Sequence, residues 1–143
     1  MKKIVMFLAI IIVIVSSISY MYIKYQANYK IAQKENSQFD SYKDKEIYGA
    51  ELTTLINKAV DNNKQNNVEK QKDGTYIEND SNSIRIDIKM LDVDDIFSME
   101  KLYGGGMSNF VKYYNEIKFK CVQIQYHDRT KRVKHMLFEQ ITQ

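Results

Sequence analysis

Three groupings in this chain hold the residue types from which metal and catalytic sites are built. Asp92, Asp94 and Asp95 place three carboxylates within four positions, and Ca²⁺ takes about six to eight oxygen ligands. The grouping lacks the Gly and the distal Glu of an EF-hand loop, and Asp is common in turns because it tolerates their dihedrals, so it reads as a polar turn. Gly104, Gly105 and Gly106 precede a helical pattern, where free N–H groups could hold a phosphate. Neither a GKS/GKT ending nor G-x-G-x-x-G spacing follows, and a tight strand-to-helix turn accounts for the glycines without a ligand.

Cys121, His127 and His135 are the residues from which a zinc or nucleophile site could be made. If residues 128 to 131 form a four-residue hairpin loop, 127 faces 132 and 124 faces 135. His135 then lies on the opposite sheet face from Cys121 and His127, unless a bulge changes the parity. Cys121 reads as a small core residue and the histidines as ordinary strand or turn residues. With no Ser-His-Asp order, nucleophile elbow or paired carboxylates, the expectation is a non-enzymatic chain with no catalytic residue, no cofactor and no metal.

The elements that would position these residues follow from the pattern of the chain. At 143 residues, 44% hydrophobic and 27% charged, it has the make-up of one ordinary domain. Three of its 21 basic residues, Lys2, Lys3 and Lys24, flank one apolar run, and the other 18 equal the 18 acidic ones. Such a neutral body lacks the one-signed patch of a nucleic-acid binder. One cysteine excludes an internal disulfide, and the absence of proline excludes Pro-rich linkers. The abundance of Lys, Ile, Asn and Tyr, whose codons are AT-rich, points to an AT-rich bacterial genome, and the eleven tyrosines fall at the membrane boundary and on expected core faces more than on one ligand platform.

From Ile4 to Ile23 the chain runs twenty residues without a charge, which at about 1.5 Å per residue spans about 30 Å of hydrocarbon. Ile4, Leu8, Ile12, Val15, Tyr20 and Ile23 mark this membrane-spanning segment, and Tyr20, Tyr22 and Tyr25 suit the interface. A cleaved signal peptide begins in the same order, but here the apolar run continues past Ser17-Ile18-Ser19. The expectation is a single-pass signal anchor in the cell membrane, N-terminus cytoplasmic and C-terminal domain extracytoplasmic. Residues 1–25 form the tail and anchor, 26–45 a helical stalk or linker, and 46–143 the external domain.

Within that domain, Tyr48, Leu52, Leu55, Ile56, Ala59 and Val60 fall on one stripe of an amphipathic helix over 47–60, a core face or an interaction face. Gly49 weakens the start of that helix, and the Asn- and Lys-rich stretch 61–74 ends it. Ile84, Ile86, Ile88 and Met90 alternate with polar residues as a strand, paired in a hairpin with Thr75 to Glu78. Ile96 to Tyr103 is a third strand, Met107, Phe110, Val111 and Tyr114 one face of a short helix, and 117–126 with 132–141 a second hairpin. The fold class is α+β, a helix packed on a small antiparallel sheet of about five strands with a short inserted helix.

A short tail, one span running into a helix, and then a small sheet is a layout that resembles type IV pilins and pseudopilins, with YGAELTTLINKAVDNN similar to their sheet-packing helix. The resemblance implies a structural external domain. That family carries a Gly before the apolar run and a Glu five residues into the mature chain, and residues 4 to 23 contain neither, so no functional residue carries over. The expected partners are the lipid bilayer and a protein partner or a second copy. The alternative is an exported ligand-binding or enzymatic domain.

Overall fold

The computed structural model describes every residue except Asp92, Asp94 and Gln143. The apolar run and the stalk form one helix, α1 (Lys2–Asp40), long and apolar enough to cross a membrane near the N-terminus. Ser17 inside the run donates its hydroxyl to the Val13 carbonyl at 2.7 Å, which satisfies the side chain without interrupting the helix. In the stalk Ala32, Asn36 and Phe39 recur at helical spacing, and those three positions are buried against the domain. Of the two readings of 26–45, the helical stalk is therefore the one adopted as far as Asp40.

A turn leads into β1 (Glu46–Tyr48) and α2 (Gly49–Gln65). The expected stripe lies on α2, where Leu52, Leu55, Ile56, Ala59 and Val60 are at most 1% exposed. Tyr48 is the exception: it pairs in β1 and is 49% exposed. Its backbone N–H binds Glu51 at the first turn, so the residue caps the helix from outside. Asn62 and Asn63 continue the helix instead of ending it, for Asn63 is fully buried and hydrogen-bonded. Gly49 owes its place to packing. A Cβ there would stand 1.9 Å from the Tyr114 carbonyl oxygen, because its own N–H reaches Ile117 O at 2.9 Å.

The remaining elements are β2 (Arg85–Lys89), β3 (Ile96–Ser98), α3 (Met99–Gly105), α4 (Met107–Tyr114), β4 (Lys118–Tyr126) and β5 (Val133–Gln140). They complete a five-stranded sheet of order β1-β4-β5-β2-β3. The architecture is α+β, with four corrections to the sequence reading. The sheet is mixed, since β5 pairs antiparallel with β4 but parallel with β2. The chain leaves β3, passes through α3 and α4 to β4 on the far side, and folds back so that β5 fills the centre. Thr75 to Glu78 makes a single bridge, Lys70 to Tyr76, and no hairpin with β2. The run 96–103 is strand for three residues only, because Ser98 caps α3 through the Lys101 N–H and Met99 and Leu102 then bury one helical face. Gly104 and Gly105 finish α3 and Gly106 joins it to α4, all without a left-handed φ.

The helices cover one sheet face, where Phe119, Cys121, Ile86, Ile88, Met136 and Phe138 meet Leu52, Leu55 and Ile56 in one core. Arg85, Lys89, Lys120, Gln123 and Gln125 on the other face are open to solvent.

Melts of the full chain in detergent check this packing. Leu55→Ala, which empties a fully enclosed site, is expected to cost about 2 to 5 kcal/mol, and exposed Lys58→Ala to stay within about 0.5 kcal/mol. Gly49→Ala should destabilise although alanine favours helix, because the Tyr114 carbonyl must retreat. An unchanged midpoint for Leu55→Ala would take α2 out of the core.

Candidate functional site

Asp87 sits on β2 at the centre of the open sheet face, yet only 7% of it is exposed. Its neighbours explain this. His135 on β5 donates its Nε2–H to Oδ2 at 3.0 Å, and Arg85 donates Nε–H to both carboxylate oxygens at 3.0 and 2.9 Å. Register sets the group up, with Arg85 opposite His135 on the parallel pair and Asp87 opposite Ser98 on the antiparallel one. Burial raises the Asp87 carboxyl, but the hydrogen bonds from His135 and Arg85 together with the arginine charge outweigh it, so its pKa lies below the usual carboxylate range. The carboxylate orients the imidazole, which is half of a general-base arrangement. Ser98, however, spends its hydroxyl on capping α3.

In the sequence Asp87 is one of the polar residues that alternate with Ile84, Ile86, Ile88 and Met90, and that alternation gives it no role. The signal available was its position in the middle of a strand whose other face is fully apolar, which makes the strand central and brings partners to both sides.

Cys121, His127 and His135 are not brought together. Two bulges, between Cys121 and Gln123 and between Gln125 and Tyr126, shift the hairpin so that Gln125, not Ile124, faces His135. Cys121 is buried in the core with its thiol pushed up by burial to about 11, which makes it a poor nucleophile. His127 donates Nε2–H to Ser83 O at 2.8 Å. Among the described residues no group of three His, Cys, Asp or Glu is placed to hold a metal. Of the aspartate grouping, Asp95 is exposed and the other two lie outside the described residues.

Clefts between the described elements hold further polar groups, and two of them bear on function. One of about 890 Å³ runs between the stalk and the β4–β5 hairpin, lined by Tyr25, Tyr29, Asn36, Asp40, Tyr126 and His127 among others. There Tyr126 donates its hydroxyl to Asp40 at 2.7 Å, and burial and that carboxylate push the phenol up to about 12. The second, about 390 Å³, lies beside Tyr76, Ser98, Glu100 and Tyr103. Glu100 accepts from the Tyr76 N–H at 3.3 Å through Oε1, while its Oε2 is buried without a partner.

The β3 edge of the sheet carries a different kind of residue. Leu91, Val93 and Ile96, at and just before β3, are 53%, 43% and 56% exposed, and among the described residues no strand pairs with the outer side of β3. The anchor residues Ile4, Leu8, Ile12, Val15, Tyr20 and Ile23 all face outward from α1.

A depressed carboxylate contributes stability that is fully present above the unfolded value, about 3.9 for Asp, and is lost as pH falls through the folded value. Asp87→Asn is therefore expected to lower stability at neutral pH and to flatten the acid limb below about pH 4 in denaturant melts. An acid limb identical to that of the wild type would show that Asp87 is not held in its ionised form by the fold.

No protein-family model matches this chain, and comparison with curated proteins and with solved structures found no match.

Proposed function

We propose that this chain is a single-pass bacterial envelope protein whose external domain is non-enzymatic and binds a protein, another chain or a second copy of itself, through the β3 edge. The observation that carries this reading is the apolar group Leu91, Val93 and Ile96 exposed beside an unpaired strand edge. Such an edge offers backbone donors and acceptors next to apolar side chains, the combination used when a partner adds to a sheet. The long apolar helix supports membrane anchoring, and the signal-like order of its ends supports a cytoplasmic N-terminus. The pilin-like layout belongs to the same proposal, supported by a helix that runs from the apolar segment into the sheet-packed stalk without a break. Peptidase processing and filament assembly are left out of it, since residues 4 to 23 lack the Gly and Glu on which they depend in that family.

The alternative, an exported ligand-binding or enzymatic domain, draws its support from the unpartnered Glu100 Oε2 lining the smaller cleft. A buried acceptor of that kind suits an ammonium or hydroxyl donor.

In washed membranes the full chain should stay in the pellet through high salt and carbonate, whereas release of a species beginning near Tyr20 would establish cleavage. A photo-crosslinker at Ile96 is expected to capture a protein partner or a second copy, with little capture from exposed Lys112 on α4. Equal capture from both positions, or none at 96, would overturn the edge reading. Melting-temperature rises with small ammonium compounds that vanish in Glu100→Gln would favour the alternative.

A further inference from the structure

The β4–β5 hairpin descends the stalk toward the apolar run. Tyr126 meets Asp40 at 2.7 Å, the Lys131 carbonyl meets Asn36 at 2.7 Å, and Arg132 meets Glu35 at 2.8 Å. Beyond these contacts Arg129, Thr130 and Lys131 close a cleft of about 320 Å³ with Tyr25, Asn28 and Tyr29. At about 1.5 Å per helical residue, Asp40 stands about 25 Å past Ile23 and Asn36 about 20 Å, whereas Tyr25 to Tyr29 stand only about 3 to 9 Å past it. The polar zone outside the hydrocarbon is about 5 to 7 Å deep on each side of a bilayer. The tip of the hairpin thus shares a cleft with the part of the stalk that emerges through the headgroups.

The charges at that level are mostly positive. Arg129 and Lys131 are exposed at the tip, and Lys24 and Lys30 are exposed on the stalk, against Asp128 and Asp80, the latter lining a cleft with Asp128 and Arg129. Arg132 is neutralised by Glu35. The tip is also held in shape: Thr130 donates its hydroxyl to Ser81 O at 2.6 Å, and Lys131 takes a left-handed φ of 59°. Stacked Tyr25 and Tyr29, with centroids 6.5 Å apart, form the aromatic side of the cleft, as residues at a membrane interface often do.

We propose that the 128–131 tip, together with Lys24 and Lys30, is a contact surface for anionic lipid headgroups, which seats the domain on the bilayer next to its own anchor. Long basic side chains suit this, since their stems extend over apolar surface while their charges meet phosphate. The inference rests on the membrane anchoring proposed above.

The test uses the full chain in vesicles containing a lipid with a nitroxide on its headgroup. A fluorophore is placed at Lys24→Cys, Asp128→Cys or Glu116→Cys, the last lying beyond the opposite end of β4 from the tip, and buried Cys121 is left unlabelled in the folded protein. Quenching at 24 reports insertion of the anchor. Quenching at 128 is expected to exceed that at 116 severalfold and to rise when phosphatidylglycerol replaces part of the phosphatidylcholine. The double variant Arg129→Glu, Lys131→Glu should lose that rise while still quenching at 24. If 24 is quenched but 128 no more than 116, this inference fails and the anchor stands. If 24 is unquenched, both fail.

Discussion

Backbone groups buried at a joint must find partners, and in this protein two asparagine side chains supply them. A carboxamide has the donor and acceptor of a peptide group, so it can complete a strand edge from a neighbouring helix. Asn36 on α1 donates to Lys131 O at 2.7 Å and accepts from Val133 N at 2.8 Å. Asn63 on α2 does the same to one residue, donating to Ile84 O at 2.7 Å and accepting from Ile84 N at 2.8 Å. The first fixes the stalk to the start of β5, the second fixes α2 to the start of β2. Removing the Asn63 amide would strand a buried N–H and C=O, and removing that of Asn36 the buried Val133 N–H, at about 1 to 3 kcal/mol for each buried group left unpaired.

The sheet depends on those joints because two of its three interior strands, β2 and β5, both begin at them. Parallel pairing between these strands needs a long connection, and here β3, α3, α4 and β4 provide it. Once β5 lies between β4 and β2, one face collects apolar side chains from every strand and is closed by the helices. The opposite face collects Arg85 paired with Asp87 and Lys89 paired with Glu139 as ion pairs, and His135 hydrogen-bonded to Asp87. Asp87 is buried there by its partners and not by a covering layer, which is why a carboxylate can stay ionised at the centre of a sheet.

The parts legible in the sequence were those with a period. Twenty uncharged residues, the stripe of Leu52, Leu55, Ile56 and Ala59, and the alternation around Ile86 and Ile88 each commit the chain to burial in a given geometry. The parts that were not legible depended on one hydrogen bond or on tertiary order. Ile96 to Tyr103 is apolar enough for a strand, and the Ser98 cap with burial of Met99 and Leu102 turns it into a helix after three residues. Parallel pairing of β2 with β5 leaves no local mark, since both strands alternate as antiparallel ones do. The bulges near Cys121 and Gln125 shift the partner of His135 by one residue, a change that the hairpin loop length does not encode. Asn36 and Asn63 looked like ordinary members of polar stretches, although their spacing from Phe39 and from Val60 placed them on the buried side of their helices.

The same joint decides how the domain relates to its anchor. Chain connectivity alone would make Ser41 to Lys45 the hinge, since it links the end of α1 to β1. The contacts lie elsewhere. Ala32, Glu35, Asn36, Phe39 and Asp40 all engage the domain before the chain reaches that turn, through Val133, Arg132, Lys131 and Tyr126. They occupy two turns of α1, so they fix rotation about the helix axis as well as position along it. A stalk clamped in this way transmits the tilt and rotation of the apolar segment to the sheet. A stalk joined only at the turn would leave the domain free to swing, and the hairpin tip would have no fixed height beside Tyr25 and Tyr29.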